Sequence, residues 1–267
     1  MNHGREYTLT SCPACRYNEI VELFKMSEHV LMQCQLCGHG FVRDVPSDEE
    51  LFRWYENTCV QEREFVPRKR LARSLKYWLF GKYLKTLSPR GHSTRLLEIG
   101  CGQGDLLHAV RNDPDIEAEG IDYGAATTEY ARSLGLRAYR QPLKDRRYPD
   151  NHFDIIVALH VIEHVQNLDE IAAEIRRILK PDGCFFAVVP CLSHIKARLA
   201  GTKWKYWGPP GHLWYFTTKS FRALLERFHF DVVYSSALYH RAHMRILAKK
   251  KKVAGTCVEK RRMAKVA

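Results

Sequence analysis

LLEIGCGQGDLL, residues 96–107, and GIDYG, residues 120–124, decide how this chain folds. An apolar run carries Glu98 near its end, then Gly100, Gly102 and Gly104 alternate, and an amphipathic run follows. That is the pattern of a strand feeding a tight turn into a helix. Glycines there let backbone approach a ligand where a Cβ would collide, and they permit positive φ. A second apolar run closes on Asp122, 18 residues beyond Gly104. That spacing is close to the one at which such a carboxylate reaches ribose hydroxyls. A Gly-x-Gly-x-Gly turn alone says little, but followed by an acid-ended second strand it points to a nucleoside-bearing ligand. The dehydrogenase variant needs Gly-x-Gly-x-x-Gly, and here Asp105 stands where its third glycine belongs.

Over residues 70–245 the sequence resembles the class I S-adenosylmethionine-dependent methyltransferases. Glu98, Gly100, Cys101, Gly102 and Gly104 match the family's first strand-turn, and Asp122 with Tyr123 matches its second. PDNHFDIIVALHVIEHV (149–165) looks like the fourth strand and its loop. LDEIAAEIRRILKPDGCFFAVVP (168–190) looks like the next helix, turn and fifth strand. The resemblance implies an α/β fold: a Rossmann-like seven-stranded methyltransferase sheet with helices on both faces, preceded, on the cysteine spacing over 12–37, by a small zinc ribbon. It also implies that the glycine turn wraps the methionine part of S-adenosylmethionine and that Asp122 takes the ribose hydroxyls. Adenine would fall to the Leu143 backbone with Gln141, while Leu159 and His160 line the cofactor.

HVIEH (160–164) resembles the ExxEH stretch of ubiquinone-type O-methyltransferases, with His160 in place of the first glutamate. If the loop is helical, His160, Glu163 and His164 share a face. Three roles stay open for it: lining the pocket, acting as general base, or ligating a divalent ion at His160, Glu163 and His164. After the fifth strand, CLSHIKARLAGTKWKYWGPPGHLWYFT (191–217) crowds Trp204, Tyr206, Trp207, Trp214, Tyr215 and Phe216 into one insert. Residues 191–216 read as a lid over the acceptor, with core packing as the alternative. The insert resembles that of methyltransferases which also carry a zinc ribbon and act on glycans or small metabolites. His212 would then face the site, so His160, His164 and His212 form the candidate catalytic region. Cys101 and Cys191 read as packing residues, because methyl transfer needs no protein nucleophile.

Cys12, Cys15, Cys34 and Cys37 are spaced C-x2-C-x18-C-x2-C. Two such knuckles, joined by a predicted β-hairpin, complete a closed tetrahedral Zn²⁺ site with a structural role. His39 is surplus to four cysteines and is expected at the surface. The expected organisation is a ribbon over 1–45, a helical linker or cap over 46–90, the methyltransferase domain over 91–248, and a basic tail over 249–267. In the linker, Ser47 is the predicted cap of a short helix. Leu71, Leu75, Trp78, Leu79 and Tyr83 then recur at helical spacing in a basic helix, expected to pack on the sheet; docking on a membrane is the alternative.

The net charge of +12 is concentrated at two places. Residues 249–267 carry eight basic residues and one acid, and residues 68–90 carry eight and none, so the remainder is slightly acidic. A polybasic end is commonly solvated, with RNA, anionic membrane or an acidic partner as alternatives. No run approaches the roughly 20 apolar residues needed to span a bilayer. The start of the chain lacks the apolar centre of a secretory signal, so a cytoplasmic location is expected. The expected acceptor is a small molecule, a sugar or an aromatic hydroxyl. The alternatives are an RNA methyltransferase and a non-catalytic cofactor-binding regulator.

Overall fold

The computed structural model describes residues 5–59, 68–87, 93–237 and 242–251. In chain order, β1 (Arg5–Thr8), β2 (Ile20–Met26), β3 (His29–Cys34), β4 (Gly40–Val42) and β5 (Asp44–Pro46) lead into the helices α1 (Asp48–Cys59) and α2 (Arg68–Leu87). Then follow β6 (Thr94–Ile99), α3 (Asp105–Val110), β7 (Ile116–Asp122), α4 (Ala125–Ser133), β8 (Ala138–Arg140), β9 (Phe153–Leu159) and α5 (Leu168–Ile178). The chain continues through β10 (Leu179–Pro190), α6 (Ile195–Ala200), β11 (Trp214–Tyr215), α7 (Thr218–Arg227), β12 (Phe230–Ser236) and β13 (His243–Lys250).

Seven strands form one sheet in the order β12-β13-β10-β9-β6-β7-β8. The pairs from β10 to β8 are parallel, and β13 runs antiparallel between β10 and β12. β6 and β9 read as nearly unbroken apolar runs because helices cover both faces of the sheet. Leu96, Leu97, Ile155, Ile156 and Val157 are fully buried, each contributing about 1.5–3 kcal/mol. The one acid inside β9, Asp154, accepts from Lys180 Nζ at 2.7 Å and Arg95 N at 2.9 Å. Two of the crossover helices, α5 and α7, start at sites their sequences mark. The Asn167 side chain accepts from Asp169 N and Glu170 N to start α5, and Thr217 with Ser220 forms a capping box for α7. Caps of this kind contribute about 1 kcal/mol each.

The N-terminal unit does not stand apart from the sheet domain. Its β2-β3-β4 sheet takes its fourth strand, β11, from the aromatic insert, with Trp214 opposite Phe41 and Tyr215 opposite Gly40. Trp204, Trp207, Trp214, Tyr215 and Phe216 are therefore buried. Most of the insert's rings are core shared between the two units, and only Tyr206 stays half-exposed. His39, expected at the surface, is fully buried between Phe41, Trp214 and Phe216. Burial pulls its imidazole down to about 3, and its Nδ1 lies 3.3 Å from Ser220 Oγ.

Three further expectations change. Ser47 does cap α1, accepting from Glu50 N at 3.2 Å, but α2 turns the other way round from the sequence reading. Gly81 and Leu84 are buried beneath it with Tyr77, Phe80 and Leu87 half-buried, whereas Leu75, Trp78, Leu79 and Tyr83 point outward. β10 begins at Leu179, so Pro181-Asp182-Gly183 is an irregularity within the strand. β13 extends to Lys250, two residues into the segment read as a tail; residues 252–267 and the Leu71 side chain lie outside the described residues.

Candidate active site

The carboxyl ends of β6, β7, β9 and β10 meet along one edge of the sheet, where open α/β folds bind ligands. Gly100, Gly102 and Gly104 leave β6 with φ of +69°, +52° and +75°. These are left-handed values that only glycine adopts cheaply. α3 starts at Asp105, with Gly104 as its left-handed cap. Asp122, at the end of β7, accepts Gly102 N and Gly124 N, each at 2.8 Å, and Thr127 Oγ1 at 3.3 Å. A carboxylate has about four acceptor sites, so it can hold the turn and still take ligand hydroxyls.

The residues present fit S-adenosylmethionine, a cationic nucleoside. Glu98 is buried below the turn, and its Oε2 has no hydrogen-bond partner among the described residues. Burial, with Asp105 and Asp122 nearby, pushes its carboxyl well above the usual range. An unused buried carboxyl oxygen beside two further acids suits a positively charged ligand. Cys101 and Leu143 are buried, Leu159 is half-buried, and Tyr123 is half-exposed next to Asp122. After β8, residues 144–146 form a short 3-10 turn whose backbone follows Leu143.

The HVIEH segment is a turn, not a helix, and His160 sits at φ +58°. His160 and Glu163 meet nevertheless, Nδ1 to Oε1 at 3.2 Å. A Cβ built on Gly100 would overlap Val161 Cγ2, so this turn lies directly on the glycine turn. Glu163 is 1 % exposed. Its backbone carbonyl accepts Leu213 N at 2.9 Å and Trp214 N at 3.2 Å, tying the insert to the loop. One ligand atom each from Glu163, His164 and His212 lie within 4.8 Å of one another.

Backbone carbonyls fix the protons on two of these imidazoles. His164 Nδ1 donates to Gly211 O at 2.6 Å, and His212 Nδ1 donates to Tyr206 O at 2.7 Å. A carbonyl can only accept, so Nε2 of each is the basic nitrogen in the neutral ring. Burial lowers the His164 pKa. Burial pushes Glu163 up, but the His160 hydrogen bond and the surrounding imidazoles outweigh it, so its carboxyl lies below its ordinary value. The cluster is thus an anionic carboxylate ringed by histidines. Tyr206, one of the insert's aromatics, and His243, which the sequence reading did not pick out, complete it. The His243 ring lies 4.4 Å from that of His160, and its Nε2 hydrogen-bonds the Tyr206 hydroxyl. Only the antiparallel placement of β13 beside β10 brings His243 there, opposite Pro190.

The four cysteines also converge. Cys12 and Cys37 sulfurs are 3.6 Å apart, as are those of Cys15 and Cys34, and all four lie within 4.8 Å of one another. Four thiolates about 2.3 Å from a central ion would lie ~3.8 Å apart, so the cluster fits a tetrahedral metal. The contact with Cys37 pulls the Cys12 pKa down to about 5.

A family model for the methyltransferase domain matches residues 65–235. Cyclopropane-fatty-acyl-phospholipid synthase of Escherichia coli (strain K12) is 37% identical over 95 residues, covering 34% of this chain and 25% of that protein. 27-O-demethylrifamycin SV methyltransferase of Amycolatopsis mediterranei (strain S699) is 28% identical over 129 residues, covering 43% of this chain and 46% of that one. The chain therefore aligns with less than half the length of either relative. Among solved structures, an S-adenosylmethionine-dependent methyltransferase from Thermotoga maritima superposes with a TM-score of 0.56 at 19% identity, covering 75% of this chain and all of its own. That likeness shows the same fold. With the family model spanning more than half of the sequence and this sheet order beneath the glycine turn, the chain belongs to the class I S-adenosylmethionine-dependent methyltransferases.

Proposed function

We propose that this protein transfers a methyl group from S-adenosylmethionine to a hydroxyl of a small molecule, a sugar or a phenol, with the Glu163–histidine cluster taking the proton. The observation that carries the reading is the position of that cluster, packed on the glycine turn through Val161. The bound cofactor supplies an electrophilic methyl group on its sulfonium. This chain's residues then have three tasks. Glu98, Asp122 and the glycine turn orient the cofactor. The turn carrying His160 and the loop carrying His212 flank the acceptor, so that catalysis is largely positioning. With Nδ1 of His160 donating to Glu163, its Nε2 is left as the nitrogen that receives the hydroxyl proton, and the carboxylate stabilises the imidazolium formed. The rifamycin relative, named for a small-molecule acceptor, supports this acceptor class.

We further propose that Cys12, Cys15, Cys34 and Cys37 hold one structural Zn²⁺, making residues 1–45 a zinc ribbon; metal analysis is expected to return one zinc per chain. The function is tested by transfer of labelled methyl groups over a panel of sugars and phenols, with structured RNA as the comparison. Glu163→Gln is expected to lower kcat by about 100-fold, while S-adenosylhomocysteine binding stays near wild type. Methylation of RNA with none of any small acceptor would reject the reading.

A further inference from the structure

α2 has two apolar faces, and the fold uses one of them. Tyr77, Phe80, Gly81 and Leu84 pack on the sheet and α3: a Cβ on Gly81 would overlap Val110, and the Phe80 ring lies 5.0 Å from that of Phe186. The opposite face carries Leu75, Trp78 and Leu79, spaced i, i+3 and i+4, with Tyr83 at its margin, where the ring also meets Phe186; the four are between 43% and 59% exposed. Such spacing makes one continuous stripe along a helix. The edge strand β12 exposes Val233 and Tyr234, and Tyr234 lies within electrostatic reach of the Tyr83 hydroxyl. Lys82 Nζ sits 5.7 Å over the Trp78 ring while it pairs with Asp113 at 3.0 Å.

Charge decides what fits this stripe. The α2 sequence RKRLARSLKYWLFGKYLKTL holds seven Lys or Arg and no acid; Lys82 and Lys85 pair with Asp113 and Asp115, and five further basic residues remain in the helix sequence. A second copy docked helix to helix would oppose two such arrays, which like-charge repulsion disfavours. RNA would satisfy the charge but gives leucines no reason to stand outward. An anionic bilayer meets both demands: leucines enter the acyl boundary, Trp and Tyr lie at the headgroup level, and basic residues meet lipid phosphates. From the exposed Leu75–Trp78–Leu79–Tyr83 stripe on a helix with no acidic residue, we infer that α2 docks this protein on an anionic lipid surface.

The test is cosedimentation of the full-length, zinc-loaded protein with vesicles of phosphatidylcholine alone and of phosphatidylcholine mixed with phosphatidylglycerol. Wild type is expected to sediment with the mixed vesicles only, and less so as salt rises. The triple variant L75S/W78S/L79S alters exposed side chains, so its melting midpoint should stay near wild type while vesicle affinity falls by more than about tenfold. Truncation after Lys251 separates this face from the basic C-terminal end and is expected to leave most of the binding in place. The inference fails if wild type ignores the mixed vesicles. It fails too if the triple variant binds as wild type does, or if its only effect is to abolish self-association or RNA binding.

Discussion

Replacing Cys34 with serine is expected to unfold the four-cysteine unit and to disable the histidine cluster with it, while the glycine turn survives. The unit is small, and a structural zinc site supplies about 10–16 kcal/mol of apparent binding free energy, on which its short strands depend. Its sheet is completed by β11. Thr217 Oγ1 donates to Cys37 O at 2.7 Å, and Arg227 Nη1 donates to Pro13 O at 2.7 Å and Ala14 O at 2.8 Å. His212 hangs on the same segment, since the Tyr215 hydroxyl donates to His212 O at 2.8 Å. Losing the ribbon therefore frees the strand that positions His212. Scanning calorimetry should show the melting midpoint fall by more than about 10 °C. Methyl transfer should fall at least about 100-fold, with S-adenosylhomocysteine affinity changed by less than about tenfold. A variant as active as wild type would mean that the ribbon is an independent appendage.

Gly100→Ala is the second large effect. At φ +69° an alanine carries left-handed strain, about 1–2 kcal/mol. Its Cβ would also overlap Val161 Cγ2, forcing apart the glycine turn and the HVIEH turn. Both surfaces of the cleft move, so S-adenosylhomocysteine affinity should drop by more than about 100-fold. The double variant G100A/V161A separates the two causes, because it removes the overlap and keeps the strain. Partial recovery is the expected result. Full affinity in Gly100→Ala alone would show that this turn does not cradle the cofactor.

The parts of this architecture legible in the sequence are those with local causes. The glycine turn, the Ser47 cap and the CxxC knuckles each rest on residues a few positions apart, and the structure forms each of them. Long-range contacts were not legible. Nothing around Trp214–Tyr215 announces that these residues finish a sheet begun at Ile20. His243 reads as a strand residue until β13 sets it beside His160. The α2 stripe shows a different limit: periodicity picks out Leu75, Trp78, Leu79 and Tyr83 and sets them on the sheet, whereas Gly81 packed against Val110 shows that the other face is the covered one. His39 follows the same logic, being buried by Trp214 and Phe216 of the insert as well as by the nearby Phe41.

The most direct test of the account is calorimetric titration of zinc-loaded protein with S-adenosylhomocysteine, run on wild type and on Asp122→Ala. Asp122 holds the glycine turn, accepting from Gly102 N and Gly124 N, and is the residue proposed to take the ribose hydroxyls. One equivalent bound at micromolar affinity by wild type, and lost in a variant that still melts cooperatively, is the result the account predicts. A correctly folded wild type that binds none would contradict it.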